Sequence, residues 1–299
     1  MTFETQLHYT ERTLEVYPQL VHASNIITKF KSGTGKEKEA LEALISEYYS
    51  YLISHMSIKG WDKKAIVKKV ELLNCYYDYY DNNTSYNYAK LFSSQGKLRP
   101  TILEEFCFFL FKDYLRSLKS KIADSSNTLN LGSAKAYTNL YFSPESINGF
   151  VNDPSVVINV KDQDFAIYRT VGFRIDGKKE AIAKVPILAI EVKTYLDKTM
   201  LEGVIATAEK LKLGNPYSRI IVVSESYQVD LSVDPSYSQI DQIYVLRKCG
   251  NIKRIITKGE NVPPIYEDVV IRLFEEAKYH IERPWSDVST KLEEDGIIL

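Results

Sequence analysis

VPILAIEVK, residues Val185 to Lys193, is the stretch on which the fold of this 299-residue chain turns. The apolar run Val185-Pro186-Ile187-Leu188-Ala189-Ile190 reads as a strand buried on both faces. It closes on Glu191-Val192-Lys193. Residues two apart on a strand point to the same face. An acid and an ammonium group therefore emerge together from a run greasy enough to lie inside. Ionised groups are costly there unless a metal ion or a substrate compensates them. A second apolar stretch, Phe165-Ala166-Ile167-Tyr168, is opened by Asp164.

The flanking segments supply the rest of the fold. Asp197 to Leu213 carries Met200, Val204, Ala208 and Leu211 on one helical side, and Gly214-Asn215-Pro216 ends it. Arg219 to Ser224 reads as a central strand, and Gln242 to Leu246 as another. Strand, helix, strand implies a right-handed parallel crossover. Before the motif, short strands are expected at Val156 to Val160 and Phe165 to Ile175, with Asp176-Gly177 as a hairpin turn. The fold class is α/β: a mixed β-sheet flanked by helices on both faces. Residues 263 to 283 form a last amphipathic helix.

Upstream, Arg99-Pro100-Thr101 looks like a helix start, with acids in the first turn. The helix runs to about Ile122 and is apolar nearly all round, so it is buried. Asp124 to Ser133 reads as a polar loop, and so does Ser93-Ser94-Gln95-Gly96. Residues 1–95 read as a mainly helical N-terminal region that binds DNA or contacts another subunit, and 96–299 as the core with a C-terminal extension. Lys36 to Ile53 and Asp62 to Tyr80 have three-and-four spacing. Lys63, Lys64, Lys68 and Lys69 fall mainly on the polar side of the second, a solvated face or one that meets phosphates.

Apolar residues make up 44%, so a sizeable core is available, and 38 Lys plus Arg against 39 Asp plus Glu leave charge balanced. That balance neither demands nor excludes nucleic acid, since binding needs only a local basic face. Cys75, Cys107 and Cys249 lie far apart with no zinc or disulfide spacing, which fits a reducing cytoplasm. No signal pattern opens the chain and no apolar run is long enough to span a bilayer, so no membrane partner is expected. Tyrosine is the outlier at 22 residues. The crowd at Tyr76, Tyr77, Tyr79, Tyr80, Tyr86 and Tyr88 suits packing or a subunit interface, with base stacking as the other reading.

An acid-x-Lys triplet alone is cheap, and this chain has four: Asp62-Lys63-Lys64, Asp176-Gly177-Lys178, Glu191-Val192-Lys193 and Glu276-Ala277-Lys278. The first and last sit in helical patterns, where residues two apart do not share a face, and the second sits in a turn. Only Glu191-Val192-Lys193 ends a buried strand. Read from the residues alone, it is either a site or a surface pair where the strand leaves the sheet. Asp164 is the favoured partner acid because the apolar run starts directly after it, with Asp162 as its competitor.

Asp164 followed by Glu191-x-Lys193 resembles the PD-(D/E)xK nucleases, the fold family of many type II restriction endonucleases. The stretch Glu191 to Lys210, EVKTYLDKTMLEGVIATAEK, is similar to the group that cuts CCTNAGC-like sites, some members of which act as two different subunits. The likeness covers about residues 99 to 225. Gln163 stands where the family's proline often precedes the first acid. The resemblance implies Mg²⁺-dependent hydrolysis of double-stranded DNA. Mg²⁺ takes oxygen ligands, so Asp164, Glu191 and the Val192 carbonyl would bind it, and Lys193 would touch the attacking water and a phosphate oxygen. Family members often add an acid from the preceding helix, here Glu104 in preference to Glu105. Those two are otherwise first-turn acids complementing the helix dipole.

The expected function is thus a bacterial, cytoplasmic type II restriction endonuclease or one subunit of it. A structure-specific repair or recombination nuclease and a non-cutting DNA-binding partner subunit are the alternatives. One site per chain calls for a homodimer or a heterodimer to cut both strands, and a cognate methyltransferase belongs to such a system. Base-reading side chains are expected around Lys135, Asn215 and Arg247-Lys248.

Overall fold

The computed structural model of the chain describes residues 1–92, 98–121, 129–152, 155–174, 181–258, 260–283 and 292–293. Helices come first: α1 (Phe3–Val16), α2 (Val21–Ser32), α3 (Gly35–Ser57), α4 (Lys63–Asn82), the short α5 (Tyr88–Leu91) and α6 (Leu98–Lys121). Then follow β1 (Leu129–Phe142), α7 (Ile147–Asn152), β2 (Val156–Phe173), β3 (Ala181–Lys193), α8 (Lys198–Gly214), β4 (Arg219–Ser224), β5 (Gln242–Val245), α9 (Ile252–Thr257) and α10 (Glu267–Glu282). Local chemistry sets several boundaries. The Asp62 side chain accepts from Ala65 N at 2.8 Å and starts α4. Asp197 does the same for α8 through Met200 N at 2.8 Å. Such caps satisfy a backbone donor that has no partner inside the helix.

The strands form one mixed sheet in the order β1-β2-β3-β4-β5. β1, β2 and β3 run antiparallel to their neighbours, whereas β3, β4 and β5 are parallel. The α8 connection makes the parallel step possible, because parallel strands need a long crossover. Side chains alternate across the sheet. Phe165, Ile167, Leu188, Ile190, Val192, Ile221 and Val223 enter one continuous buried cluster with α2, α3, α4, α6 and α10. Val222 meets Leu201, Val204 and Ile205 of α8 on the opposite face, and Ala189 and Ile220 meet Ala208 and Leu211 there. The all-round apolar α6 is central: Phe111 stacks on Phe165 and on Phe274 with ring centroids 5.7 and 5.5 Å apart. Helical N-terminal residues and sheet residues therefore share one apolar interior.

Several expectations need correction. The strands expected at 156–160 and from 165 onward are one 18-residue strand; Lys161, Asp162 and Gln163 between them are held in the ladder by pairing with β1, which polar composition hides. Residues 129–133 are not loop but the start of β1, whose small and polar residues gain their shape from β2 rather than from their own pattern. β1 changes register between Gly132 and Ala134. Gly132 has φ +123° and lies against Gln19, a backbone state that favours glycine. Beyond it, Ala136 pairs with Lys184 of β3 and packs with Ala189, Ala208 and Leu211. β5 is an edge strand, not a central one. The last helix starts at Glu267, because Pro263 and Pro264 lie in the segment before it. Lys69 is buried rather than solvated: its Nζ donates to Gly60 O at 3.1 Å and lies 3.8 Å from Asp113. The loop expected at 93–96, the segment 124–128 and the Asp176-Gly177 turn lie outside the described residues.

Tyr76, Tyr77, Tyr80 and Tyr88 are buried; Tyr76 stacks on Tyr51, Tyr80 on Tyr88 and Tyr88 on Phe92, while Tyr77 lies under two guanidinium groups. Packing is thus what the tyrosine crowd does, and these rings are closed to bases. The three cysteines are free. Among the described residues no helix is long and apolar enough to cross a membrane.

Candidate active site

β2 and β3 bring Asp164 and Glu191 together. Phe165 pairs with Ile190 across the antiparallel ladder. One step further along the same register, Asp164 lies opposite Glu191, and opposite residues share a face. Lys193, two residues on, shares it too. Its Nζ donates to Glu191 Oε2 at 2.8 Å and to Asp164 Oδ2 at 3.1 Å. The Val192 N–H also donates to Asp164 Oδ2, at 2.8 Å. In an extended strand a residue's N–H and C=O lie on the same edge, so the Val192 carbonyl is on the β2 side, with Asp164. The Lys193 carbonyl faces β4 and accepts from Glu225 N at 3.1 Å. The side chains of Asp164, Lys193 and Glu191 are 29%, 24% and 12% exposed. The cluster is reachable from solvent yet mostly shielded.

That shielding shapes the electrostatics. Burial raises the Glu191 carboxyl above the usual carboxylate range and Asp164 raises it further, while Lys193 opposes both. Burial pulls the Lys193 ammonium down, but Asp164 and Glu191 outweigh it and leave the group above its ordinary value. Glu104 of α6 stands in the same field. Burial first, then Asp164 and Glu191, push its carboxyl up to about 7, against the pull of Lys193.

Glu105, its neighbour, turns away into the helical region. Its carboxylate accepts from His22 N at 2.9 Å and Ala23 N at 3.0 Å in the first turn of α2, and from the Tyr48 hydroxyl at 2.8 Å. Burial pushes this carboxyl up to about 7, against the pull of those three donors. Of the paired acids, then, Glu104 feels the charges of the cluster and Glu105 caps a helix.

An excess of carboxylate over ammonium in a shielded pocket favours a hard cation with oxygen ligands. The donors present, Asp164, Glu191 and the Val192 carbonyl, are all oxygens and suit Mg²⁺. Among the described residues no three His, Cys, Asp or Glu side chains converge closely enough to hold a metal ion unaided. The remaining ligands would have to be water and substrate oxygens.

Other expected residues fall outside the cluster. Asp162 is exposed and Gln163 is buried. Lys63, Lys64 and Lys68 are exposed on α4, and Lys63 lies 3.2 Å from Glu275. Lys135 is exposed on β1 rather than in a loop. Asn215 is occupied by Pro186 O at 2.9 Å, and Lys248 by Asp268 at 2.7 Å. Arg247 is not a free reader of bases: it is 5% exposed and its Nε donates to Glu225 Oε2 at 2.8 Å. The sequence reading did not single out Glu225 or Arg99, which meet beside the cluster. A signal existed, since Glu225 follows the buried run Arg219 to Ser224 much as Glu191 follows its own.

A family model described as Bpu10I restriction endonuclease matches residues 95–269, more than half of the chain. No curated protein sequence matches. A solved structure described as the native BbvCI A2B2 tetramer at low resolution superposes with a TM-score of 0.69. The match has 22% identity and covers 90% of this chain and 99% of that one. At that identity the likeness speaks for the fold.

Proposed function

The chain belongs to the Bpu10I restriction endonuclease family and is a type II site-specific deoxyribonuclease, and on that premise we propose that Asp164, Glu191, Lys193 and Glu104 are its hydrolytic site and Mg²⁺ its cofactor. The observation that carries this reading is the single ammonium of Lys193 shared by carboxylates from two adjacent strands. Asp164, Glu191 and the Val192 carbonyl would hold the ion. When bound, Mg²⁺ supplies Lewis acidity and positive charge to the phosphate.

The chain's own residues do the rest. Lys193 offers donors to the attacking water and to the non-bridging oxygen on which charge grows in the transition state. Asp164, fixed by the Val192 N–H, holds Lys193 in place. Glu104 of α6, within the field of these charges, can carry a proton near neutral pH.

Each chain brings one such cluster, and a duplex has two strands. The active enzyme therefore holds at least two nuclease chains, either a homodimer or a heterodimer with a second nuclease subunit; the A2B2 assembly described for BbvCI favours unlike subunits. Double-stranded DNA lies against the core, and residues 1–95 bind DNA, with Lys63, Lys64 and Lys68 as phosphate contacts, or contact the second subunit. A cognate methyltransferase protects the host genome in the same bacterial cytoplasm.

The test is digestion of plasmid and genomic DNA with and without Mg²⁺, followed by sequencing of the ends. Discrete fragments with one common terminal sequence, dependent on Mg²⁺, are expected. Scattered ends, or cutting of branched DNA in preference to plasmid, would overturn the reading.

A further inference from the structure

A buried ionic junction lies beside the candidate site and joins six parts of the chain. Glu225, directly after β4, has a side chain with no solvent exposure. Its carboxylate accepts from Arg99 Nη1 at 2.5 Å, Arg99 Nη2 at 3.0 Å and Arg247 Nε at 2.8 Å. The Arg99 fork also reaches Asp81 at the end of α4, through Nε and Nη2, both at 2.8 Å. Arg247 Nη1 donates to Pro263 O at 2.6 Å. Both guanidinium groups lie over the Tyr77 ring of α4, 4.8 and 5.2 Å from its centre, a favourable cation–π placement. The backbone of Glu225 completes the link, since its N–H donates to the Lys193 carbonyl at 3.1 Å.

Resting on the reading of the site given above, we infer that Glu225 is a positioning residue for DNA hydrolysis: through Arg99 it sets α6, and with it Glu104, against the end of β3 that carries Lys193. The physical need is specific. α6 is apolar nearly all round, with Phe106, Phe109, Phe111 and Leu115 all buried. Apolar burial is non-directional, and the hydrogen bonds of Glu105 tie α6 to α2 and α3 rather than to the sheet, so sliding of α6 along the sheet is weakly resisted by them. A guanidinium fork held by two carboxylates fixes both distance and angle. Arg99 lies in the first turn of α6, little more than one turn before Glu104. On the other side, Glu225 bonds the residue that bears the shared ammonium. The same residue thus registers both halves of the site, α6 through its carboxylate and β3 through its backbone N–H, and its side chain meets neither the reacting groups nor solvent.

The experiment compares wild type, Glu225→Gln, Glu104→Gln and the double variant, as the full chain in its native assembly, by single-turnover cleavage of plasmid. Glu225→Gln keeps shape and one acceptor but loses the charge that orders the fork. Its cleavage rate is expected to fall about 10- to 100-fold. DNA affinity should stay within about twofold, since Glu225 meets no phosphate. Once Glu104 is gone, adding Glu225→Gln should cost less than about threefold more, because residues acting as one unit are not additive. Arg99→Lys, which keeps the charge but can serve only one carboxylate, should show the same pattern and serves where Glu225→Gln does not fold. A rate within about twofold of wild type in these variants, or losses that simply multiply, would overturn the positioning role while leaving the nuclease reading intact. A wild-type enzyme that does not hydrolyse DNA would remove that reading itself, and the inference with it.

Discussion

Lys193→Ala removes the one ammonium that the Asp164 and Glu191 carboxylates share at 3.1 and 2.8 Å. If Lys193 orients the attacking water and meets charge forming on the phosphate, it acts mainly in the transition state. Groups with such roles each contribute on the order of 10²- to 10⁴-fold in rate, about 3–5 kcal/mol. The side chain is 24% exposed, so water can enter the vacated space and replace part of this. The expected loss is therefore toward the lower end, on the order of 10²- to 10³-fold. Binding should respond far less. DNA affinity is a sum over several phosphate contacts, and losing one changes the salt dependence of log K by no more than about 1. Cleavage is read as a single-turnover rate with enzyme in excess, and binding as a salt titration by fluorescence anisotropy in EDTA. A cleavage rate within tenfold of wild type, or a loss explained wholly by weaker binding, would refute the role given to Lys193.

Three further outcomes follow from particular contacts. Asp164→Asn should lose cleavage and raise the Mg²⁺ concentration needed for half-maximal rate, whereas Asp162→Asn, at an exposed position of β2 outside the cluster, should cleave normally; equal loss in both would place the working acid elsewhere. Burial lowers the His22 imidazole to about 3, so the folded chain keeps it neutral while the unfolded chain protonates it near 6.5. Its stabilising share is then complete above pH 6.5 and drains away as pH falls toward 3. Between pH 7.5 and pH 5, wild type should lose about 2 kcal/mol relative to His22→Gln in urea melts, and a constant gap would contradict this. In Gly214→Ala the new Cβ would run into the Thr138 carbonyl, 2.7 Å from its carbon. Backbone atoms do not yield easily, so the variant should be destabilised by about 1–3 kcal/mol, seen as a lower melting temperature; an unchanged melt would mean that α8 shifts freely on β1.

What the sequence made legible was whatever packs by pattern. The buried β3 run and the α8 amphipathicity both follow from local spacing. Asp164, Glu191 and Lys193 could be singled out because ionised groups at the end of a buried strand demand a partner. What stayed hidden depends on contacts between distant segments. β1 carries Gly132, Ser133 and Asn139, and is a strand because β2 pairs with it. Lys69 looks like a solvated lysine, yet Gly60 and Asp113 hold it inside. Glu104 and Glu105 are adjacent on one helix, and only packing decides that one faces the strands and the other caps α2. Arg247 reads as a free cation until Glu225, 22 residues away in the chain, is seen to hold it.

The most direct measurement is the location of Mn²⁺, standing in for Mg²⁺, by its anomalous scattering in crystals of the chain bound to a DNA duplex. A peak ligated by Asp164 and Glu191, next to the Val192 carbonyl and a phosphate oxygen, with the Lys193 ammonium within hydrogen-bonding reach, is what the account predicts. Manganese bound elsewhere beside the cut phosphate, with those two carboxylates unliganded, would contradict it.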